Sequence, residues 1–119
     1  MKNRDAVLLN KIVKYCDEAI LAVKEYQLNL NRIQMLSTPR NAIGMCILQI
    51  GELVTALSEE VKTAYSGVPW QQIKSMRNIA AHNYLHFDIA IMWDTIKDDV
   101  PVLRAYCLEI LDKEPVDGE

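Results

Sequence analysis

Arg77, Asn78, His82 and Tyr84 crowd the stretch Met76-Arg77-Asn78-Ile79-Ala80-Ala81-His82-Asn83-Tyr84. A guanidinium can donate two parallel hydrogen bonds to the non-bridging oxygens of a phosphate. An imidazole titrates near neutral pH and can act as a base. A phenol carries a reactive hydroxyl. This set suits transesterification of an RNA phosphodiester. That reaction needs a base on the 2′-hydroxyl, positive charge beside the phosphorane, and a proton for the leaving 5′-oxygen. Neutral His82 is the candidate base and Arg77 the candidate phosphate ligand. A positioned acid or base contributes about 10²–10⁴-fold, so one histidine is a partial catalyst. A symmetric dimer would supply a second histidine and a second arginine, and would bury the polar face in a shared cleft.

Helical spacing, at about 100° per residue, groups Ile73, Met76 and Ala80 on one side of residues 70–84, flanked by Trp70 and Ile79. Gln71, Ser75, Asn78 and His82 fall on the opposite side, and Arg77 lies at the boundary. Asn78 precedes His82 by four residues, within reach of its imidazole. The same stripe also has a plain reading, as the wet face of an amphipathic helix. Other groupings carry less chemistry. His82 and His86 have a metal-ligand spacing, but a helix break between them and the lack of a third ligand argue against zinc. His86 reads as a turn residue, Glu52 and the pair Asp98-Asp99 as solvated, and Trp70 and Trp93 as core. There is no phosphate-cradling glycine loop.

The elements that must position the motif all read as helices. Residues 5–33 repeat Leu9, Ile12, Val13, Cys16, Ala19, Ile20, Val23, Tyr26 and Leu30 at helical spacing, either as one long helix or as one that frays past Tyr26. Ser37-Thr38-Pro39 predicts a hydroxyl-capped start with proline in the first turn. The next stripe is Ile43, Ile47, Ile50, Val54, Leu57 and Val61, with Gly44 and Gly51 on nearly one face, where a neighbouring helix could approach. Ser66-Gly67-Val68-Pro69 is a turn, and the third helix runs from about Pro69 to His82 or Tyr84. Asp88 is the expected cap of a helix burying Ile89, Met92, Trp93 and Ile96, which Pro101 either kinks or follows with a fifth helix through Cys107 and Ile110. The expectation is an all-α fold, an up-and-down four-helix bundle with a short fifth helix. Residues 1–112 would form a single domain and residues 113–119 an acidic flexible tail.

Composition narrows the function classes. The chain of 119 residues has a net charge of -3, and residues 109–119 alone hold five acids and one base. The remaining body is therefore near neutral, without the basic excess of broad nucleic-acid binding. Any RNA contact must be narrow or use a concave surface built from more than one copy. Three widely spaced cysteines, Cys16, Cys46 and Cys107, sit in apolar patterns and read as buried free thiols, which fits a reducing cytoplasm. No apolar run approaches a membrane span, and Met1-Lys2-Asn3-Arg4-Asp5 lacks a secretory pattern.

Arg77-Asn78-x-x-x-His82, extended to Arg-x-x-x-x-His-x-Tyr by Tyr84, resembles the signature of the HEPN superfamily of helical nucleases. With Ile50-Gly51-Glu52 and Pro69-Trp70-x-x-Ile73-x-x-Met76-Arg77-Asn78, residues 5–112 resemble a HepT-type toxin of the HepT/MntA toxin–antitoxin systems, of type II or VII. The resemblance implies a metal-independent endoribonuclease without a cofactor, acting on mRNA or tRNA as a cytoplasmic homodimer with the motif at the dimer cleft. It implies that Arg77 and His82 are catalytic and that Asn78 orients them. It also implies a partner, a minimal MntA-like nucleotidyltransferase antitoxin that AMPylates Tyr84. The alternative is a non-catalytic nucleotide- or substrate-binding subunit of a two-component nucleotidyltransferase. Three intact reactive residues favour the toxin, because a pure scaffold needs none of them. A third possibility is a structural dimerisation domain.

Overall fold

The first apolar stripe folds as α1, Asn3–Glu25. The fold comes from a computed structural model that describes residues 1–75 and 89–116. Helix α1 ends where Gln27 adopts a left-handed backbone, φ 51°. The Gln27 N–H donates to the Lys24 carbonyl and the Leu28 N–H reaches back to that of Val23, at 3.2 and 2.9 Å. That is the crossed pattern of a Schellman stop. Glutamine takes the place usually held by glycine, at a cost of about 1–2 kcal/mol. Leu28 beyond it is buried and anchors the turn. Tyr26 and Leu30, placed in the stripe by spacing, are more than a third exposed, because the stripe loses its phase at this stop.

A short helix, α2 (Leu30–Met35), follows, capped by the Asn29 carboxamide, which accepts from the Arg32 N–H. Arg32 donates to the Tyr26 carbonyl, and Arg40 to those of Ile33 and Gln34. Two guanidinium groups thus satisfy carbonyls that helix ends leave unpaired. Helix α3 is Ser37–Ala56. Its N-cap is Leu36, with no side-chain cap, so Ser37 and Thr38 are already helical and Pro39 is the third residue. The proline still fits, because the first-turn N–H groups have no intrahelical partner. Gly44 and Gly51 are both buried.

The stripe that continues to Val61 is broken at Ser58, which starts α4, Glu59–Ala64. Ser58 caps α4 by accepting from the Val61 N–H. Its own N–H and hydroxyl donate to the two carboxylate oxygens of Asp5, at 3.0 and 2.8 Å. Asp5 is 3% exposed, so this carboxylate is a buried clip between the start of α1 and the α3–α4 junction.

Residues 70–75 are helical and are labelled α5. Pro69 does not lie inside this helix. Its carbonyl accepts the N–H groups of Gln72 and Ile73, which makes it the cap. After α6 (Ile89–Asp94) the ladder widens to a π-helical turn at Thr95–Asp99 and resumes as α7, Val100–Lys113. Pro101 thus sits in the first turn of α7, on a helical path that runs on from α6 through the π turn. Proline has no N–H to donate and its ring crowds the carbonyl four residues back, and a π turn absorbs the mismatch. The Asp88 cap expected from sequence lies outside the described residues.

Helix α1 packs against both α3 and α7. Asp5 meets Ser58, and the Met1 ammonium meets Glu114, so α1 runs antiparallel to both neighbours. Arg104 of α7 pairs with Asp17 of α1, in the same sense. Leu9, Ile12, Ile43, Ile50, Val54 and Ile110 are fully buried between these helices. All three cysteines are buried and free. Burial pushes the thiols up, Cys16 and Cys107 to about 12 and Cys46 to about 11, so they stay protonated and poorly nucleophilic. The fold is all-α, as expected, and contains no strand among the described residues. No described helix is long and apolar enough to cross a membrane.

Candidate functional site

Arg77, Asn78, His82 and Tyr84 lie outside the described residues, as does His86. The chain that leads to them is described through Ser75. In α5, Trp70 and Ile73 are buried, while Gln71, Gln72 and Ser75 are exposed. This is the phase that sequence spacing assigns, with Ile73 inward and Gln71 and Ser75 outward. Trp70 is core, as expected, and Trp93 is half-buried.

A set of aromatic side chains fixes the segment before α5. The Trp70 indole N–H donates to the Tyr65 carbonyl at 2.6 Å. The Trp70 and Tyr106 rings pack tilted, with centroids 6.1 Å apart. The Tyr106 hydroxyl accepts the Gly67 N–H at 2.8 Å. Gly67 is needed for space: a Cβ there would lie 2.6 Å from Cε1 of Tyr106. Sequence reasoning missed this cluster. Residue 106 is 39 positions from Gly67, and no local pattern links a tyrosine in one helix to a distant turn.

Glu114, just past α7, extends the set. Its carboxylate accepts the Tyr65 hydroxyl and the Met1 ammonium, and the ammonium also donates to the Pro115 carbonyl. The Tyr65 hydrogen bond, followed by that of the ammonium, holds the Glu114 carboxyl below its usual range. The same hydrogen bond, then burial, raises the Tyr65 phenol. A depressed carboxyl contributes stability above its unfolded pKa and loses it as pH falls through the folded one. A raised phenol contributes below its unfolded pKa and loses it as pH climbs through the folded one. Glu114→Gln therefore lowers the melting temperature most between mildly acidic and mildly alkaline pH, by no more than a few degrees for a part-exposed contact. Melting curves across pH check this, and a gap that persists unchanged into strong acid would refute it.

A cleft of about 220 Å³ opens beside α5, lined by Pro69, Gln72, Ile73, Thr95, Asp99 and Val102 among others. Burial, then Asp98 and Asp94, raises the Asp99 carboxyl. Asp99 is the one charged side chain among the lining residues, and the rest of the wall is mostly apolar. Asp98 and Asp99 are exposed as expected, but within a π turn rather than at a helix end. Of the described arginines, Arg32, Arg40 and Arg104 are committed to backbone carbonyls or to Asp17. Among the described residues no three His, Cys, Asp or Glu side chains could hold a metal ion.

Comparison with known proteins adds to this geometry. A protein of Caldanaerobacter subterraneus subsp. tengcongensis named "Putative RNase TTE0752" is 40% identical over 65 residues, which is 55% of this chain and 58% of that protein. Methanocaldococcus jannaschii has one named "Gamma-glutamylcyclotransferase and putative RNase MJ0434", 26% identical over 115 residues, 95% of this chain and 50% of that protein. Its "Putative RNase MJ1216" is 27% identical over 107 residues, 87% of this chain and 85% of that protein. The match thus spans 58% and 50% of the length of the first two. No solved structure matches it. Residues 16–110 match the family described as "HepT-like: Ribonuclease HepT-like", and with that match over most of its length, the chain belongs to the HepT-like ribonuclease family.

Proposed function

We propose that this chain is the toxin of a toxin–antitoxin pair, a metal-independent endoribonuclease that cleaves mRNA or tRNA by transesterification. The observation that carries the reading is the Arg77-x-x-x-x-His82-x-Tyr84 motif in a HepT-like chain. It follows directly on a helix whose inward and outward faces agree with the phase used to place it. Two copies form a homodimer in which the motif lines a shared cleft, since one imidazole is a partial catalyst. His82 of one copy takes the 2′-hydroxyl proton as that oxygen attacks phosphorus, His82 of the other copy gives a proton to the leaving 5′-oxygen as its bond to phosphorus breaks, Arg77 neutralises the phosphorane, and Asn78 orients them. Residues 1–112 act as one domain.

A partner nucleotidyltransferase of the MntA type silences the enzyme by transferring AMP from ATP to the Tyr84 hydroxyl, with pyrophosphate as the leaving group. Nucleotide on a hydroxyl two residues from His82 places bulk and negative charge in the cleft and occupies Arg77. The test is co-expression with the adjacent nucleotidyltransferase. Growth arrest by the chain alone should be relieved, and mass spectrometry should find AMP on Tyr84. Unmodified Tyr84 in a neutralised complex would overturn this control. A harmless chain that leaves tRNA and mRNA uncut in EDTA would favour the non-catalytic binding subunit instead.

A further inference from the structure

We propose that the groove between α1 and α3 is a docking site for a basic amphipathic helix of a partner protein. The groove encloses about 390 Å³, and Leu21, Tyr26 and Met45 all line it. Leu21 and Met45 are each about half exposed and Tyr26 is more than a third exposed, so three large apolar side chains stay open to water around one depression. Ala22 and Ala42 are too short to fill the gap between the two helices, and Cys46 is buried at its base. Apolar surface that converges under a polar rim marks an interaction site. Methionine suits such a wall, because its flexible thioether adapts to a partner.

The rim is acidic. Glu18 and Glu25 line the groove, no lining residue is basic, and neither glutamate forms an ion pair among the described residues. They stand seven positions apart on α1, so they share one face, about 10 Å apart along the helix. Lys14 sits over the Tyr15 ring, 5.7 Å from its centroid, at the end of the groove away from Glu25. Two lysines or arginines seven apart on a facing helix would meet both carboxylates, with the apolar residues between them resting on Leu21 and Met45. The apolar contact supplies the affinity, and the charges select the partner and speed its approach. Other occupants fit less well. RNA or an anionic lipid surface would meet like charge. An extended peptide would leave backbone groups unpaired against apolar walls, whereas a helix satisfies its own. A second copy docked groove to groove would set each Glu18 and Glu25 against the same carboxylates of its mate.

The experiment titrates the full chain into a fluorescein-labelled helical peptide of leucine and lysine, about two heptads long, with lysines seven positions apart beside the leucine face. Anisotropy should show saturable binding that weakens as salt rises. Met45→Asp should weaken it by about tenfold or more, since it puts a charge into the apolar wall. Glu18→Gln combined with Glu25→Gln should weaken it by about three- to tenfold, the range expected for two exposed ion pairs. Met35→Asp adds the same charge at the 80% exposed side chain of α2 and should leave binding unchanged. A peptide with glutamate in place of lysine should bind about tenfold more weakly or not at all. Melting temperatures of the variants should stay near wild type, because every substituted side chain is exposed. Equal binding by Met45→Asp and wild type would overturn the site. So would equal affinity for the glutamate peptide, or no binding of the lysine peptide at about 100 µM wild-type chain. A wild-type dimer that Met45→Asp splits, with no peptide binding, would overturn it in favour of a second copy in the groove. None of these results bears on the ribonuclease reading.

Discussion

Replacing His82 with alanine lowers RNA cleavage by about 10²–10⁴-fold, the range by which a positioned proton acceptor accelerates such a step. Growth arrest should disappear with it. The loss should fall on kcat, because in the proposed mechanism the imidazole acts on the 2′-hydroxyl in the transition state and adds little to ground-state binding. Arg77→Lys is the companion variant. Lysine keeps the charge but loses the planar pair of donors. A hydrogen bond to a charged group is worth about 1.5–3 kcal/mol, so its loss slows cleavage by roughly 10- to 150-fold. Both variants should retain the helical circular dichroism and melting of the wild type, since spacing puts His82 on the polar face and Arg77 at its edge. A His82→Ala protein that still cuts RNA at the wild-type rate would remove the histidine from the mechanism.

Leu9→Ala is the substitution with the largest expected effect on folding. Leu9 is fully buried on α1, the helix that packs on both α3 and α7. Removing its branched end forfeits the transfer energy and leaves a cavity that long antiparallel helices cannot collapse around. Such changes cost about 2–5 kcal/mol, against a total of ~5–15 kcal/mol for a domain. For a chain of this size the melting temperature should fall by roughly 10–20 °C. Met35→Ala is the contrast. Met35 is 80% exposed, so its truncation should stay within about 0.5 kcal/mol. Denaturant unfolding of the two variants separates the cases. Equal stabilities would mean that α1 is not the central element of the core.

Periodicity was enough to read the helical class, the inward faces of α1, α3 and α7, and the phase of residues 70–75, because a buried stripe must recur at helical spacing wherever a helix covers a core. The Arg77-x-x-x-x-His82-x-Tyr84 motif is likewise legible along the chain, since its members are near neighbours. Helix ends were harder. Gln27 gives no glycine signal, yet its left-handed backbone stops α1 because burying Leu28 repays the strain. Ser37 and Thr38 look like caps but are bypassed at Leu36, and Ser58, inside an apolar stripe, becomes a cap because Asp5 reaches it from 53 residues away. Pro101 left a kink and a new helix equally open until packing drew Ile96 and Val100 into one core and the π turn took up the mismatch. The grip of Tyr106 on Gly67 and Trp70 belongs wholly to the folded chain. Contacts between distant segments leave no local spacing to read, because they form only when packing of the whole fold offsets the entropy lost in closing long loops.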